Sequence, residues 1–170
     1  SASTSASWAC VASTSVETSS TSSLTCSPAR RTFSTNHAAI DAVTDNPTRT
    51  ALQRALASLE AADYCLAFAS GMGAATTAML LFKQGDHIVS SRDVYGGTYR
   101  IFSAVLQNFG LTFSFVETSN LKEIERAMTR RTRLVWIESP TNPLLRITDI
   151  RAAAKIAHQH GALCLVDNTF

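Results

Sequence analysis

One stretch limits the folds open to this chain more than any other. The apolar run Tyr64-Cys65-Leu66-Ala67-Phe68-Ala69 reads as a buried strand, breaks at Ser70-Gly71, and resumes from Gly71 to Phe82 as a sequence fit for a buried helix. A strand that turns straight into a helix is a building block of layered α/β folds. The turn leaves the first helical N–H groups without intrahelical partners, at the positive end of the helix dipole, where a phosphate is stabilised. Gly71 and Gly73 let the backbone approach such a ligand closely. A second reading stands beside this one: a tight strand-to-helix joint in which Ser70 is an ordinary N-cap.

The alternation continues along the chain. Asn46-Pro47 reads as an N-cap with proline at the first helical position, and Leu52, Leu56 and Leu59 mark one face of a helix reaching about Ala61. After a turn at Lys83-Gln84-Gly85-Asp86, His87-Ile88-Val89-Ser90 is a short strand. Gly96-Gly97 opens a helix with Ile101, Val105, Leu106 and Phe109 on its apolar face, closed by Gly110. Leu111 to Val116 alternates as a strand, and Asn120 caps a helix from Leu121 to Met128. Leu134 to Ile137 is a strand, Asp149 caps a helix reaching His160-Gly161, and Ala162 to Val166 is the last strand. Strands alternating with helices at this spacing predict an α/β fold with a mostly parallel central sheet.

Residues 1–45 differ in kind. Ser, Thr and Ala dominate to about Thr35, with Glu17 the one acid there and Arg30-Arg31 a basic pair. So little apolar surface predicts disorder. A low-acid, Ser-rich segment with arginine also resembles an organelle transit peptide, although arginine is sparse, and a linker or tail is the alternative. The expected division is therefore a low-complexity segment, 1–45, and an ordered domain, 46–170. Net charge is only +2, so nothing calls for nucleic acid, and no apolar run is long enough to cross a membrane. The four cysteines, Cys10, Cys26, Cys65 and Cys164, have no metal-like spacing. Cys65 and Cys164 lie in apolar runs and read as buried reduced thiols, which favours a cytoplasmic location.

In open α/β sheets ligands gather beyond the carboxyl ends of the strands. The segments there are Ser70-Gly71-Met72, Asp93 to Gly97, Glu138 to Pro143, and Asp167-Asn168-Thr169. Together they offer a helix N-terminus for a phosphate, the ring of Tyr95 for stacking, the amide of Asn142 as a donor, and the carboxylate of Asp167 after a buried strand. Pyridoxal phosphate (PLP) requires those parts: a phosphate seat, a stacking ring, a donor to its phenolic oxygen and an anion at its pyridine nitrogen. Singly, each residue has a plainer role. Tyr95 can be a packing aromatic, Asn142 a turn former and Asp167 a cap, although an unpaired carboxylate after Leu-Cys-Leu-Val is costly.

Five blocks resemble the cysteine/methionine-metabolism family of PLP enzymes, the group of cystathionine γ-lyase, cystathionine γ-synthase and methionine γ-lyase. They are Asn46 to Arg49, Ala67 to Met72, Asp93 to Thr98, Trp136 to Pro143, and Val166 to Phe170. The resemblance, running in order from about Asn46 to Phe170, implies part of a fold-type I, aminotransferase-like large domain and PLP as cofactor. It puts Ser70, Gly71 and Met72 at the phosphate and Tyr95 on the ring, with a part in proton transfer. It puts Asn142 at the phenolic oxygen, Asp167 at the pyridine nitrogen, Thr169 in the pocket and Arg100 at the substrate. It also implies a small amino-acid substrate and a homo-oligomer in full-length relatives, a tetramer built from dimers. The Tyr-Gly-Gly and Trp-Ile-Glu-Ser-Pro-Thr-Asn-Pro blocks lean toward the γ-lyase and γ-synthase branches.

Two departures shape the expectation for this chain. The family's Schiff-base lysine lies beyond the Asp-Asn-Thr-Phe block, and Lys83, Lys122 and Lys155 do not replace it, so the 170-residue chain is expected to be an inactive, truncated large domain. Before Asn46, where the family has a phosphate-binding Tyr and Arg and a glycine, Asp41, Val43 and Asp45 stand instead, so homology is expected to begin near Asn46. A non-catalytic product acting by association is one alternative. A doubly wound nucleotide-binding domain is another, weakened by the absence of G-x-G-x-x-G.

Overall fold

The computed structural model describes residues 46–170 together with the backbone of two short strands, Ala9–Ser13 and Ser22–Cys26. These strands, β1 and β2, join a seven-stranded sheet with β3 (Tyr64–Phe68), β4 (His87–Ser91), β5 (Thr112–Val116), β6 (Thr132–Glu138) and β7 (Leu163–Asp167), in the order β3-β1-β2-β7-β6-β4-β5. The pairs β7-β6, β6-β4, β4-β5 and β1-β3 are parallel, and β2 runs antiparallel to both of its neighbours. The expectation of a mostly parallel α/β sheet therefore holds. Within 1–45, expected to be disordered, the described residues are β1 and β2, for which the strand edges of β3 and β7 offer backbone partners that composition does not reveal. The positions noted at Asp41, Val43 and Asp45 lie outside the described residues.

Helices α1 (Pro47–Leu59), α2 (Gly71–Met79), α3 (Gly96–Arg100), α4 (Leu121–Ala127) and α5 (Ile150–Gln159) connect the strands. Their starts follow the local chemistry read from sequence. Asn46 accepts the N–H groups of Thr48 and Arg49, Asn120 that of Lys122, and Asp149 that of Ala152. Gly110, at φ +82°, ends the segment after α3 in a left-handed conformation that favours glycine.

Two cores flank the sheet. On one side Met79, Ile88, Phe102, Leu134 and Trp136 pack together, with Phe102 edge-on to Trp136 at 5.2 Å. On the other, Val89, Ile124, Val135, Ile137, Ala153 and Ala157 form the second. Alternate residues of β4 and β6 thus feed opposite cores, as a doubly covered parallel strand requires.

Several expected faces differ. The segment from Gly96 to Phe109 is not one helix: α3 gives way to a π turn (Ile101–Val105) and a 3-10 turn (Leu106–Phe109). The change of pitch rotates the apolar face, so Phe102 is fully buried while Val105 and Phe109 are exposed. Strand β3 is buried on one face only: Cys65 packs against Leu56, Ala57 and Ala62, whereas Tyr64 and Leu66 are exposed. It is one of the two edge strands of the described sheet. Leu59 is exposed, as are Leu80 and Leu81 just beyond the end of α2 at Met79, three residues short of the expected Phe82. Among the described residues, no helix is long and apolar enough to cross a membrane.

Candidate functional site

The carboxyl ends of β3, β4, β6 and β7 open onto one cavity of about 340 Å³, lined by Ser70, Gly71, Met72, Tyr95, Asn142, Asp167 and Thr169, with Ala75, Thr98, Glu138 and Phe170. That volume is in the range of ~300–1,000 Å³ common to small-molecule sites. Seven of the eight residues singled out from sequence are therefore neighbours. Arg100 is not among them: it is exposed at the end of α3, with its guanidinium turned back toward Gly96.

At the floor, α2 points its N-terminus into the cavity. Ser70 Oγ accepts the Gly73 N–H at 3.1 Å and the Ser70 carbonyl accepts that of Ala74. Both readings of Ser70 are thus compatible, since it caps the helix and lines the cavity together. Among the described residues, the N–H groups of Gly71 and Met72 have no hydrogen-bond partner. Open N–H groups at the start of a nine-residue helix form an anion seat.

The Tyr95 ring lies against Gly97, and Met72 Sδ borders the same space. A Cβ built on Gly97 would stand 2.4 Å from Tyr95 Cε1 and 2.9 Å from Met72 Sδ, so glycine is what permits the ring its place. The Tyr95 backbone N–H donates to Glu138 Oε2 at 2.9 Å.

The far wall is built on two adjacent strands, β6 and β7, in which Glu138 and Asp167 stand directly opposite each other. Burial raises the Asp167 pKa, opposed by Thr169, whose hydroxyl and N–H both donate to Asp167 Oδ1, at 2.5 and 3.2 Å. Glu138 is buried, and burial pushes its pKa up to about 7. The Tyr95 N–H opposes that rise, the negative charge of Asp167 adds to it, the Asn142 N–H opposes it, and Asp93 adds a last increment. Asn142 is carried on a loop with cis peptides at Ser139-Pro140 and Asn142-Pro143. Asp93 holds that loop, Oδ2 accepting the Thr141 hydroxyl at 2.6 Å and the Leu144 N–H at 3.1 Å.

Behind the wall runs a buried chain of hydroxyls. Ser91 bonds Thr118 at 2.8 Å, Thr118 bonds Thr148 at 3.0 Å, and the Thr148 N–H donates to Ser139 Oγ. Ser91 Oγ also accepts the Glu138 N–H, which fixes the end of β6.

Sequence reasoning passed over Glu138 and Thr98. Glu138 carried a signal equal to that of Asp167, a carboxylate ending the apolar run Leu134-Val135-Trp136-Ile137. Thr98, inside a helix and 2% exposed, carried none.

The model of the family described as Cys/Met metabolism PLP-dependent enzyme matches residues 4–170. The chain belongs to that family. The match reaches well before Asn46, so the expectation that homology begins near that residue is too narrow. Curated relatives include a probable cystathionine gamma-synthase of Herpetosiphon aurantiacus, 52% identical over 127 residues, covering 75% of this chain and 40% of that protein. The cystathionine gamma-lyase of Homo sapiens is 53% identical over 126 residues, covering 74% of this chain and 31% of that protein. Among solved structures, the cystathionine gamma-lyase of Lactobacillus plantarum complexed with L-serine superposes with a TM-score of 0.73 at 50% identity, over 75% of this chain and 33% of that one. The chain thus spans between about a third and two fifths of the length of these family members.

The cavity fits the cofactor in the family's description. Its lining includes open N–H groups for a phosphate, an aromatic ring, an amide and a carboxylate. No lysine lines it: Lys83, Lys122 and Lys155 all lie elsewhere.

Proposed function

We propose that this cavity seats PLP and that the protein to which these residues belong is a trans-sulfuration enzyme, most like cystathionine γ-lyase. The reaction is elimination on cystathionine, giving cysteine, 2-oxobutanoate and ammonia. The observation that carries the reading is the meeting of Gly71-Met72, Tyr95, Asn142 and Asp167 on one cavity at the strand ends.

In this reading the Gly71 and Met72 N–H groups and the Ser70 hydroxyl hold the phosphate. The Tyr95 ring covers one face of the cofactor ring, and its hydroxyl carries a proton. Asn142 donates to the phenolic oxygen. The Asp167 carboxylate, oriented by the two Thr169 hydrogen bonds, keeps a proton on the pyridine nitrogen. PLP, when bound, supplies an electron sink. A cation facing Asp167 restores the anion that burial disfavours, so cofactor and carboxylate stabilise each other. Arg100 is proposed for the substrate only, because it stands outside the cavity wall. The whole protein is proposed to be a cytoplasmic homo-oligomer acting on a small amino acid.

A γ-replacement reaction is the second reading, favoured by 52% identity to the probable cystathionine gamma-synthase. In a protein of the relatives' full length that carries this stretch, release of 2-oxobutanoate from cystathionine marks elimination, and its formation by condensation marks replacement.

The deciding experiment is a titration of the 170-residue chain with PLP, followed by absorbance, then borohydride treatment and mass spectrometry. Saturable, stoichiometric binding displaced by inorganic phosphate, with no label on Lys83, Lys122 or Lys155, is the expected result. Absence of saturable binding overturns the reading.

A further inference from the structure

The reading above gives Glu138 no task, yet it is the most deeply buried ionisable group of the cavity lining. Its side chain ends β6 in the cavity wall, with 3% of the residue exposed. It accepts the Tyr95 N–H from the loop after β4 at 2.9 Å, and its own strand runs on directly into the loop after β6. Those loops carry the stacking ring and the amide donor. Asp93 ties the same two loops from outside, through Thr141 and Leu144. Glu138 ties them from inside, at the cavity.

We propose that Glu138 is a positioning residue: by accepting the Tyr95 N–H at the root of the loop that carries Asn142, its carboxylate sets the gap between Tyr95 and Asn142 into which a flat ligand enters. The identity of that ligand rests on the PLP reading, whereas the tie between the loops does not.

The energetics point the same way. Burial, the Asp167 carboxylate across the strand pair and Asp93 all favour the neutral acid. Only the two backbone donors favour the anion. A neutral acid keeps one good acceptor oxygen and gains an O–H that needs its own partner, so protonation loosens one loop. A carboxylate kept where stability prefers a neutral group is the arrangement expected at a working site.

The titratable and charged groups facing Glu138 are Asp93 and Tyr95 beyond β4 and Asp167 on β7. They are shared by the wild type and Glu138→Gln, as is the phosphate of PLP. The ratio of the two proteins' affinities therefore isolates Glu138.

The test compares the two proteins by PLP titration from pH 5.5 to 8.5, by thermal melting, and by ¹⁵N-resolved amide spectra without ligand. At pH 8, E138Q is expected to bind PLP about tenfold more weakly while melting no lower, because a buried charge has gone. The difference in affinity shrinks below pH 7. In the wild type the Tyr95 amide shifts with a midpoint near 7, and in E138Q it does not shift there. Equal affinity, or binding lost only in proportion to folded protein, overturns the proposal. A Tyr95 amide that does not shift there also overturns it, and that readout needs no variant that folds. If the wild type binds no PLP while its Tyr95 amide titrates there, the PLP reading falls and the positioning stands.

Discussion

The ring of Tyr95 occupies the space that any side chain at residue 97 would need, 2.4 Å from an added Cβ at its nearest carbon. Gly97→Ala is therefore expected to displace the ring. The helix itself gains, since alanine is favoured over glycine there by ~0.5–1 kcal/mol. Melting temperature should hold or rise while affinity for PLP falls about tenfold, roughly the 1.4 kcal/mol of a lost stacking contact. Calorimetric titration beside a melting curve separates the two effects, and unchanged affinity would remove the Tyr95 ring from the ligand's surroundings.

At the opposite, amino end of the sheet, His87 is held between Thr132 Oγ1 at 2.8 Å and Ser114 Oγ at 2.9 Å, and burial lowers its pKa below 6.5. The unfolded chain then takes up a proton that the folded chain refuses, so this contribution is complete above 6.5 and lost as pH falls toward the folded value. Glu138 acts oppositely. Its folded pKa of about 7 exceeds the ordinary 4.5, so the stability due to its proton is present below 4.5 and lost as pH rises to 7. Urea unfolding from pH 4.5 to 8 should show His87→Gln losing the acid-side decline and E138Q losing the alkaline-side decline. A decline unchanged in either variant refutes the assignment of that limb.

Local chemistry was the legible part of this molecule. The caps at Asn46, Asn120 and Asp149 and the stop at Gly110 depend on neighbours a few residues away, and each stands where the residues put it. The cavity was legible for a related reason: parallel strands bring their carboxyl ends to one edge, so Ser70, Tyr95, Asn142 and Asp167 could be gathered before their contacts were known. What escaped depends on partners distant in sequence. The exposure of Tyr64 and Leu66 follows from the edge position of β3, and β1 and β2 pair with strands that composition does not disclose. Glu138 was readable as a carboxylate ending an apolar run, but its bond to a donor 43 residues away was not.

Thr169→Val removes the hydroxyl that donates to Asp167 at 2.5 Å and leaves the backbone N–H in place. With that opposition gone, burial raises the Asp167 pKa further. Affinity for PLP should fall several-fold, and more at pH 6 than at pH 8, because the neutral acid no longer attracts a protonated pyridine. Titrations at the two pH values check this, and an equal loss at both would limit Thr169 to packing.

The hydroxyl chain behind β6 and β4 is expected to serve stability. Thr118 is 1% exposed and lies between Ser91 and Thr148. Thr118→Val keeps the shape but leaves both neighbours short of a partner, at about 1–3 kcal/mol. Urea midpoints should fall accordingly at unchanged slope. Asp93→Ala removes the acceptor of the buried Thr141 hydroxyl and of the Leu144 N–H, so a loss of similar size is expected. Here the loss has a place: amide exchange should quicken in residues 141–146 ahead of the rest of the sheet. Asp93→Asn retains one acceptor oxygen and should recover part of the loss while also lowering the charge beside Glu138. If Asp93→Ala lowered stability without quickening exchange there, the outer tie would not be what holds the Asn142 loop, and the Glu138 tie would remain as the link between that loop and Tyr95.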